Sequence, residues 1–197
     1  MLVIGLTGGI GTGKTEATHI LRELGAVVVD SDKIAHLSYE PGTEAHSQIV
    51  SKFGDEILAD SGVIDRSQLG ELVFSNVVHR EELEAIVWPA VDKLIEASLL
   101  KEEQRGIRIV VIEAAKLLES GWARFTDVIW TVEAFEAEVV VRVANRSGLS
   151  ESDTKSRIAA QLTREERVER ADVVIENNAT LENLRDQVTI LWESIPK

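Results

Sequence analysis

The chain carries the run Gly8-Gly9-Ile10-Gly11-Thr12-Gly13-Lys14-Thr15 close to its N-terminus. This run matches the phosphate-binding pattern G-x-x-x-x-G-K-[ST] at every position. The apolar residues 2–6 before it predict a buried strand, and residues 16–24 after it predict a helix because their apolar side chains recur at helical spacing. Glycines at such a turn let successive backbone N–H groups point at one phosphate. We therefore interpret the run as a nucleotide-binding loop rather than a simple glycine-rich turn.

Two side chains at the end of this phosphate loop have the chemistry that a bound nucleotide requires. Lys14 can reach the outer phosphates, and the hydroxyl of Thr15 can hold Mg²⁺. The helix that begins here adds the positive end of its dipole.

The composition restricts the classes of protein to consider. The 197 residues include no cysteine, which excludes disulfides, thiolate metal sites and cysteine nucleophiles, and the four histidines have no ligand-like spacing. The net charge of −13 argues against general binding of nucleic acid, because that affinity comes mainly from neutralised phosphates. With no run of about eighteen apolar residues and no room for a signal segment before the first strand, we expect a cytoplasmic protein without a membrane partner.

One segment reverses the acidic balance. Residues 142–170, the arginine-rich segment, contain seven basic and five acidic residues. Such a reversal suits a cap over nucleotide phosphates. Solvated helices with ordinary ion pairs explain it equally well on charge alone.

Strands and helices alternate along most of the chain, which predicts a parallel sheet covered on both faces. Further strands are predicted at residues 26–29, 107–112, 127–132 and 172–176, and further helices at 135–145, from 150, from 163 and at 181–192. Between about residues 41 and 104 the strand pattern disappears. Helices are predicted there at 43–53, 67–74, 80–87 and 90–101, with an interruption at Trp88-Pro89. This helical insertion is a natural place for a second substrate.

Acidic residues follow two of the predicted strands, where α/β folds bind their ligands. Asp32, just after the second strand, can accept a proton from an attacking hydroxyl or help to hold a metal. Alternatively, Ser31 or Asp32 caps the helix that follows. Glu113, at the end of the third strand, can hold Mg²⁺ through water.

Three classes of function remain open for a phosphate loop on a short α/β chain. They are a small-molecule kinase, a nucleotide-hydrolysing switch or motor, and a nucleotide-binding module without catalysis. A guanine-specific switch would carry an N-K-x-D signal, which the sequence lacks. The loop, the lysine, the carboxylate and the arginines together supply the positioning and charge neutralisation of phosphoryl transfer, which favours the kinase.

Along nearly its whole length the sequence resembles the dephospho-coenzyme A kinase family. The resemblance rests on Leu6–Thr15, Val29–His36, Phe53-Gly54 with Gly62 and Ile64–Arg66, Leu69, Val73-Phe74, Arg142, Arg146, Gly148–Ser150, Arg157–Gln161, Ala171–Ile175 and Asn177-Asn178. The segments at Asp30–Asp32 and Arg157–Gln161 are the most specific, because many kinases share the phosphate loop.

The resemblance implies ATP-dependent phosphorylation of the ribose 3′-hydroxyl of dephospho-coenzyme A. It implies a single P-loop kinase unit with five parallel strands, the first in the middle. The core would be residues 1–40, 105–140 and 171–197, with a coenzyme A-binding insertion at 41–104 and a lid at 141–170.

It also implies roles for individual residues, with ATP and Mg²⁺ as the cofactors. Catalytic roles fall to Lys14, Asp32 and Arg142; ATP binding to Gly9, Ile10, Gly11, Thr12, Gly13, Lys14, Thr15, Glu16 and Arg146; acceptor or lid roles to Arg157, Gln161 and Arg164; and metal binding to Thr15 and Glu113.

The chain departs from the family pattern at two places. Trp88-Pro89 stands where the family commonly has His-Pro, and Ala115-Lys116-Leu117-Leu118-Glu119 where it has P-L-L-F-E. Trp88 could stack on a base and Lys116 adds a cation, or both could be drift at packing positions. Another small acceptor, such as a nucleoside monophosphate or a sugar acid, and a non-catalytic module therefore stay open as alternatives.

Overall fold

The structure, a computed structural model, describes residues 1–74 and 76–196, with the backbone alone at Phe74. Its residues group into two compact units. The first unit consists of Met1–Asp30 and the chain from Lys101 onward, and the second, the helical unit, is Ser31–Leu100. Within the described residues, no helix is both long enough and apolar enough to cross a membrane.

The first unit is built on one sheet of five parallel strands in the order β2-β3-β1-β4-β5. The strands are β1 (Leu2–Thr7), β2 (Val27–Asp30), β3 (Ile109–Glu113), β4 (Val128–Glu133) and β5 (Val173–Glu176). The prediction of five parallel strands with the first in the middle is confirmed. Because the strands are parallel, the phosphate loop after β1 and the acidic residues that end the other four strands lie at the same end of the sheet.

Helices connect and flank these strands. They are α1 (Lys14–Glu23), α2 (Ser31–Ser38), α3 (Glu44–Phe53), α4 (Arg66–Phe74), α5 (Val77–Gln104), α6 (Glu136–Ser147), α7 (Glu151–Ala159), α8 (Arg164–Arg170) and α9 (Leu181–Glu193). The apolar faces of α1 and α9 pack on the sheet, where Ile20 and Leu184 join Ile4, Leu6 and Trp130 in one buried cluster. The burial of these side chains fixes the helix that follows the phosphate loop against the strand that precedes it.

The predicted interruption of the helical insertion at Trp88-Pro89 is wrong. The chain forms one helix, α5, that passes through Pro89. A proline inside a helix removes one backbone hydrogen bond and crowds the preceding turn. The buried side chains of Val87, Val91 and Ile95 on both sides of Pro89 outweigh that loss.

Two smaller expectations also need correction. The third strand begins at Ile109 rather than at residue 107, because Ile107 N–H donates to Glu102 O (3.0 Å) and closes the end of α5. Ser31 does not cap α2: it lies inside the first turn, and its buried Oγ has no hydrogen-bond partner among the described residues. Asp32 lies in the same turn, where a carboxylate complements the helix dipole.

Candidate active site

The phosphate loop connects β1 to α1 through glycines that the backbone requires. Gly13 has φ 101°, and a Cβ there would lie 2.1 Å from Nδ2 of Asn177. Gly11 has φ 71°, and a Cβ there would lie 2.7 Å from the side chain of Val143 on α6. Both positions combine a left-handed conformation with a close neighbour, so only glycine fits without displacement.

Lys14 forms an ion pair with Glu113, the residue that ends the neighbouring strand β3. The distance from Lys14 Nζ to Glu113 Oε1 is 2.9 Å, and the two side chains are only 12% and 9% exposed. The structure thus brings together a cation predicted to bind phosphate and a carboxylate predicted to bind metal.

The residues around this pair have the donor chemistry that Mg²⁺ requires. Within the described residues, no three His, Asp or Glu side chains are grouped to hold a metal ion. Phosphoryl-transfer enzymes hold Mg²⁺ by one or two carboxylates together with phosphate oxygens and water. The exposed Thr15 and the Glu113 carboxylate, with Asp30 as the register partner of Glu113 on β2, fit that pattern.

Three predicted arginines line one pocket of about 200 Å³ beside the phosphate loop. Arg142 and Arg146 come from α6 and Arg157 from α7, and Ile10 and Gly11 of the loop complete the wall. Arg142 Nη2 donates to the backbone oxygen of Asn177 (2.8 Å). Its Nη1 is buried and has no hydrogen-bond partner among the described residues.

Gln161 lies in the turn between α7 and α8, and Arg164 is the first residue of α8. The Gln161 side chain accepts a hydrogen bond from the backbone N–H of Ile10 in the phosphate loop (2.9 Å). Arg164 instead pairs with Glu176 at the end of β5. Gln161 therefore contacts the phosphate loop, whereas Arg164 contacts the end of β5.

Sequence reasoning assigned no role to Glu133 and Arg167, which form a buried ion pair. Glu133 is fully buried and Arg167 is 8% exposed. Arg167 donates from Nε and Nη2 to the two carboxylate oxygens of Glu133, each at 2.7 Å, and from Nη1 to Leu162 O. The hydroxyl of Thr131 donates to the same carboxylate (2.6 Å). This pair fixes the turn that carries Gln161.

Asn177, directly after β5, is a second residue whose contacts the sequence did not reveal. Its side-chain amide donates to Thr12 O in the phosphate loop (2.8 Å), and its N–H donates to Glu133 O (2.7 Å). The sequence contained a partial signal. Glu133 ends a strand as Glu113 does, and Asn177 follows the end of a strand as Asp32 does.

α8, the helix predicted from residue 163, begins with a capping box formed by Thr163 and Glu166. Thr163 Oγ1 accepts from Glu166 N–H, and the Glu166 carboxylate accepts from both the N–H and the hydroxyl of Thr163. These hydrogen bonds, first the one from the backbone N–H, lower the pKa of Glu166. The cap fixes the start of the helix that carries Arg167.

The helical unit contains its own groove of about 460 Å³. It is lined by residues of α2, α3 and α5, including the exposed apolar side chains of Leu37 and Leu94, the ring of Pro89 and the cation Lys93. Trp88 is half-buried and, within the described residues, is not part of this lining. Asp32 is exposed in the first turn of α2.

Comparison with known proteins gives the family. The sequence model of a family described as dephospho-CoA kinase matches residues 2–183. A dephospho-CoA kinase of Geobacter sulfurreducens is 43% identical over 192 residues, which are 98% of this chain and 98% of that protein. A dephospho-CoA kinase of Geobacillus kaustophilus is 39% identical over 199 residues, covering 100% of this chain and 99% of that protein.

Solved structures agree with the sequence matches. The crystal structure of TT1252 from Thermus thermophilus has a TM-score of 0.82 and 33% identity, and it covers 100% of this chain and 98% of its own. A dephospho-CoA kinase from Campylobacter jejuni has a TM-score of 0.73 and 25% identity, over 98% of this chain and 96% of its own. A shikimate kinase from Acinetobacter baumannii, at 17% identity and a TM-score of 0.53 over 100% and 96%, shares the fold alone. The match of the family model to most of the chain, with relatives this similar over their full length, means that the chain belongs to the dephospho-CoA kinase family.

Proposed function

We propose that this chain transfers the γ-phosphoryl group of ATP to the ribose 3′-hydroxyl of dephospho-coenzyme A, the last step in the synthesis of coenzyme A. The observation that carries the proposal is a phosphate loop beside a three-arginine pocket in a member of this kinase family. Phosphoryl transfer depends on positioning and on charge neutralisation more than on covalent catalysis. The loop and the arginines supply both.

The nucleotide is proposed to bind through the loop and the start of α1. The backbone N–H groups of Gly9–Glu16 face the phosphates, and Lys14 exchanges its contact with Glu113 for the outer phosphates. Thr15 and Glu113 would hold Mg²⁺, which neutralises phosphate charge when bound.

Arg142 is proposed to stabilise the transferring phosphoryl group. A buried guanidinium N–H without an acceptor is unfavourable, and a phosphoryl oxygen would supply that acceptor. Arg146 and Arg157 line the same pocket and are assigned to the nucleotide and the lid. Gln161 joins the lid, residues 141–170, to the loop through Ile10.

The helical unit is proposed to bind the acceptor. The groove of about 460 Å³ combines apolar side chains with Lys93, which suits a long, partly apolar acceptor that carries phosphate. Asp32, on the helix that contributes Leu37 to this groove, is proposed to orient and deprotonate the acceptor hydroxyl. We place the reaction in the cytoplasm, with no nucleic acid or membrane as partner.

The Asp32 assignment is tested with Asp32→Asn, which keeps the size of the side chain and removes its basicity. A general base contributes about 10²–10⁴-fold, so kcat is expected to fall in that range. The affinity for ATP, measured by calorimetry, is expected to stay near that of the unchanged protein. Near-normal turnover by this variant would show that Asp32 is not the base.

The function itself is tested by measuring ADP release from ATP and Mg²⁺ with and without dephospho-coenzyme A. We expect strong stimulation and a product that is heavier by one phosphoryl group. The Lys14→Ala variant is the control and is expected to lose most of the rate. Stimulation only by a nucleoside monophosphate or a sugar acid would point to a changed acceptor, and ATP binding without any acceptor-dependent ADP would point to a non-catalytic module.

A further inference from the structure

Three hydrogen bonds of Asn177 connect parts of the site that are far apart in the sequence. Its side-chain Nδ2 donates to Thr12 O in the phosphate loop (2.8 Å), and its backbone oxygen accepts from Arg142 Nη2 (2.8 Å). Its backbone N–H donates to Glu133 O at the end of β4 (2.7 Å). One residue thus contacts the loop, the arginine pocket and the sheet.

The surroundings leave Asn177 little freedom. The residue is 8% exposed, and its Nδ2 occupies the space that a Cβ at Gly13 would need, at 2.1 Å. A displacement of this buried side chain would leave its Nδ2 and Thr12 O unpaired, which favours the observed position. Asn177 therefore holds Thr12 at a fixed place relative to β5.

Arg142 receives its position from the same residue. Nη2 is bound to Asn177 O while Nη1 has no hydrogen-bond partner among the described residues. The guanidinium is planar, so one fixed nitrogen restricts where the other can lie. The distance between Arg142 and the phosphate loop consequently depends on Asn177.

We propose that Asn177 is a positioning residue that fixes Arg142 and the phosphate loop relative to each other for phosphoryl transfer. This rests on the proposed function, in which Arg142 acts on the phosphoryl group that the loop presents. The proposal assigns Asn177 no contact with either substrate. A misplacement of about 1 Å between groups that act on one transition state can reduce a rate 10²-fold.

The test compares Asn177→Ala with Asn178→Ala. Asn178 is a matched control, because it is the adjacent amide and its side chain contacts Phe135 N and Glu176 but not the loop. We expect kcat to fall about 10–100-fold in Asn177→Ala, with a much smaller change in KM for ATP and near-normal kcat in Asn178→Ala. Asn177→Asp, which has the same size and cannot donate to Thr12 O, provides a second variant if the alanine variant folds poorly.

A double-mutant cycle with Arg142→Ala separates positioning from general destabilisation. Asn177→Ala keeps the backbone oxygen that binds Arg142 and removes the side-chain bond to Thr12 O. If that bond holds the loop in place relative to Arg142, the double variant is only slightly slower than Arg142→Ala alone. Fully additive losses in kcat, or equal losses in Asn177→Ala and Asn178→Ala, would overturn the proposal.

A binding measurement makes the inference independent of the acceptor. ADP with aluminium fluoride imitates the transferring phosphoryl group, so the unchanged protein should bind it more tightly than ADP alone. Asn177→Ala and Arg142→Ala should both lose this preference and keep their affinity for ADP. Loss of the preference in a chain that does not phosphorylate dephospho-coenzyme A would support the inference and reject the proposed acceptor. A preference that persists in Asn177→Ala, or is missing from the unchanged protein, would reject the inference.

Discussion

Arg142 and Arg167 belong to the same arginine-rich segment and to the same unit of the chain, but their guanidinium groups have different surroundings. Arg167 donates from three nitrogens to Glu133 and Leu162 and is buried. Arg142 Nη2 donates to Asn177 O, and its buried Nη1 has no hydrogen-bond partner among the described residues. It also lines the pocket beside the phosphate loop.

Arginines of one segment can therefore differ in role, one forming a structural ion pair and another lining a pocket. Arg167 is neutralised by Glu133, so its charge is not available to a nucleotide. Arg142 bonds to a neutral carbonyl and keeps its full positive charge for a ligand. Ordinary ion pairs therefore explain Arg167, whereas the phosphate cap stays a prediction for Arg142.

The largest expected effect that separates the two arginines is on the rate of Arg142→Ala. An arginine that acts on a transferring phosphoryl group contributes about 10³–10⁵ in kcat, so we expect a loss of at least about 10³. The free energy of unfolding should change little, because a single contact to a carbonyl is removed. Steady-state kinetics and urea unfolding measure the two quantities. Arg142→Lys, which keeps the charge and loses the planar fork, should have a kcat between those of Arg142→Ala and the unchanged protein. A kcat of Arg142→Ala near that of the unchanged protein would show that the two arginines do not differ in this way.

The opposite pattern is expected for Arg167→Ala. Removing one partner of a buried ion pair leaves the Glu133 carboxylate uncompensated and costs about 3–5 kcal/mol of stability. For the protein that remains folded, kcat should fall less than in Arg142→Ala.

The double variant Arg167→Met with Glu133→Leu is the control for this change. Apolar groups of similar volume remove both charges at once, so much of the lost stability should return in urea unfolding. If Arg167→Ala unfolds at the same urea concentration as the unchanged protein, the buried pair is not what holds the α7–α8 turn.

The sequence predicted the phosphate loop, Lys14 and Thr15 because their pattern is local. The central position of the first strand followed from the resemblance, and the alternation of strands and helices followed from hydrophobic periodicity. The groups at residues 133, 167 and 177 could not be paired from the sequence. Glu133 lies 34 positions from Arg167, and Asn177 lies 165 positions from Thr12, so only the completed sheet brings these pairs together.

The errors have physical causes of the same kind. Pro89 is a local signal for a break, but the tertiary burial of Val87, Val91 and Ile95 keeps α5 continuous. Glu133 ends β4 in the way that Glu113 ends β3, so the rule applied to Glu113 could have been applied to it. The assignments of Asp32 and Arg142 stay predictions that the experiments above test. Those of Arg146, Arg157, Gln161 and Arg164 also stay predictions.

The smallest expected effect concerns the cap of α8, which supports Arg167 but not Arg142. Hydrogen bonds from Thr163 lower the pKa of Glu166 below its usual value in the folded protein. A carboxyl group whose pKa is lower in the folded than in the unfolded protein stabilises the fold above its unfolded-state pKa. That stabilisation disappears as the pH falls through its pKa in the folded protein. Glu166→Gln keeps the acceptor and removes the charge, so it should be slightly less stable than the unchanged protein near pH 7. The difference should begin to shrink as the pH falls to the usual glutamate pKa of about 4.3. It should disappear once the pH is below the lowered pKa of Glu166 in the folded protein.

Urea unfolding between pH 3 and pH 7 measures this convergence. Arg142→Ala is the reference, because the difference between its free energy of unfolding and that of the unchanged protein should not depend on pH in that range. A constant offset for Glu166→Gln across the range would mean that the cap acts through shape rather than charge. Convergence would mean that the ionised cap stabilises the helix on which Arg167 lies. The two arginines would then also differ in their response to pH. Low pH would destabilise the helix that carries Arg167 and would not affect Arg142.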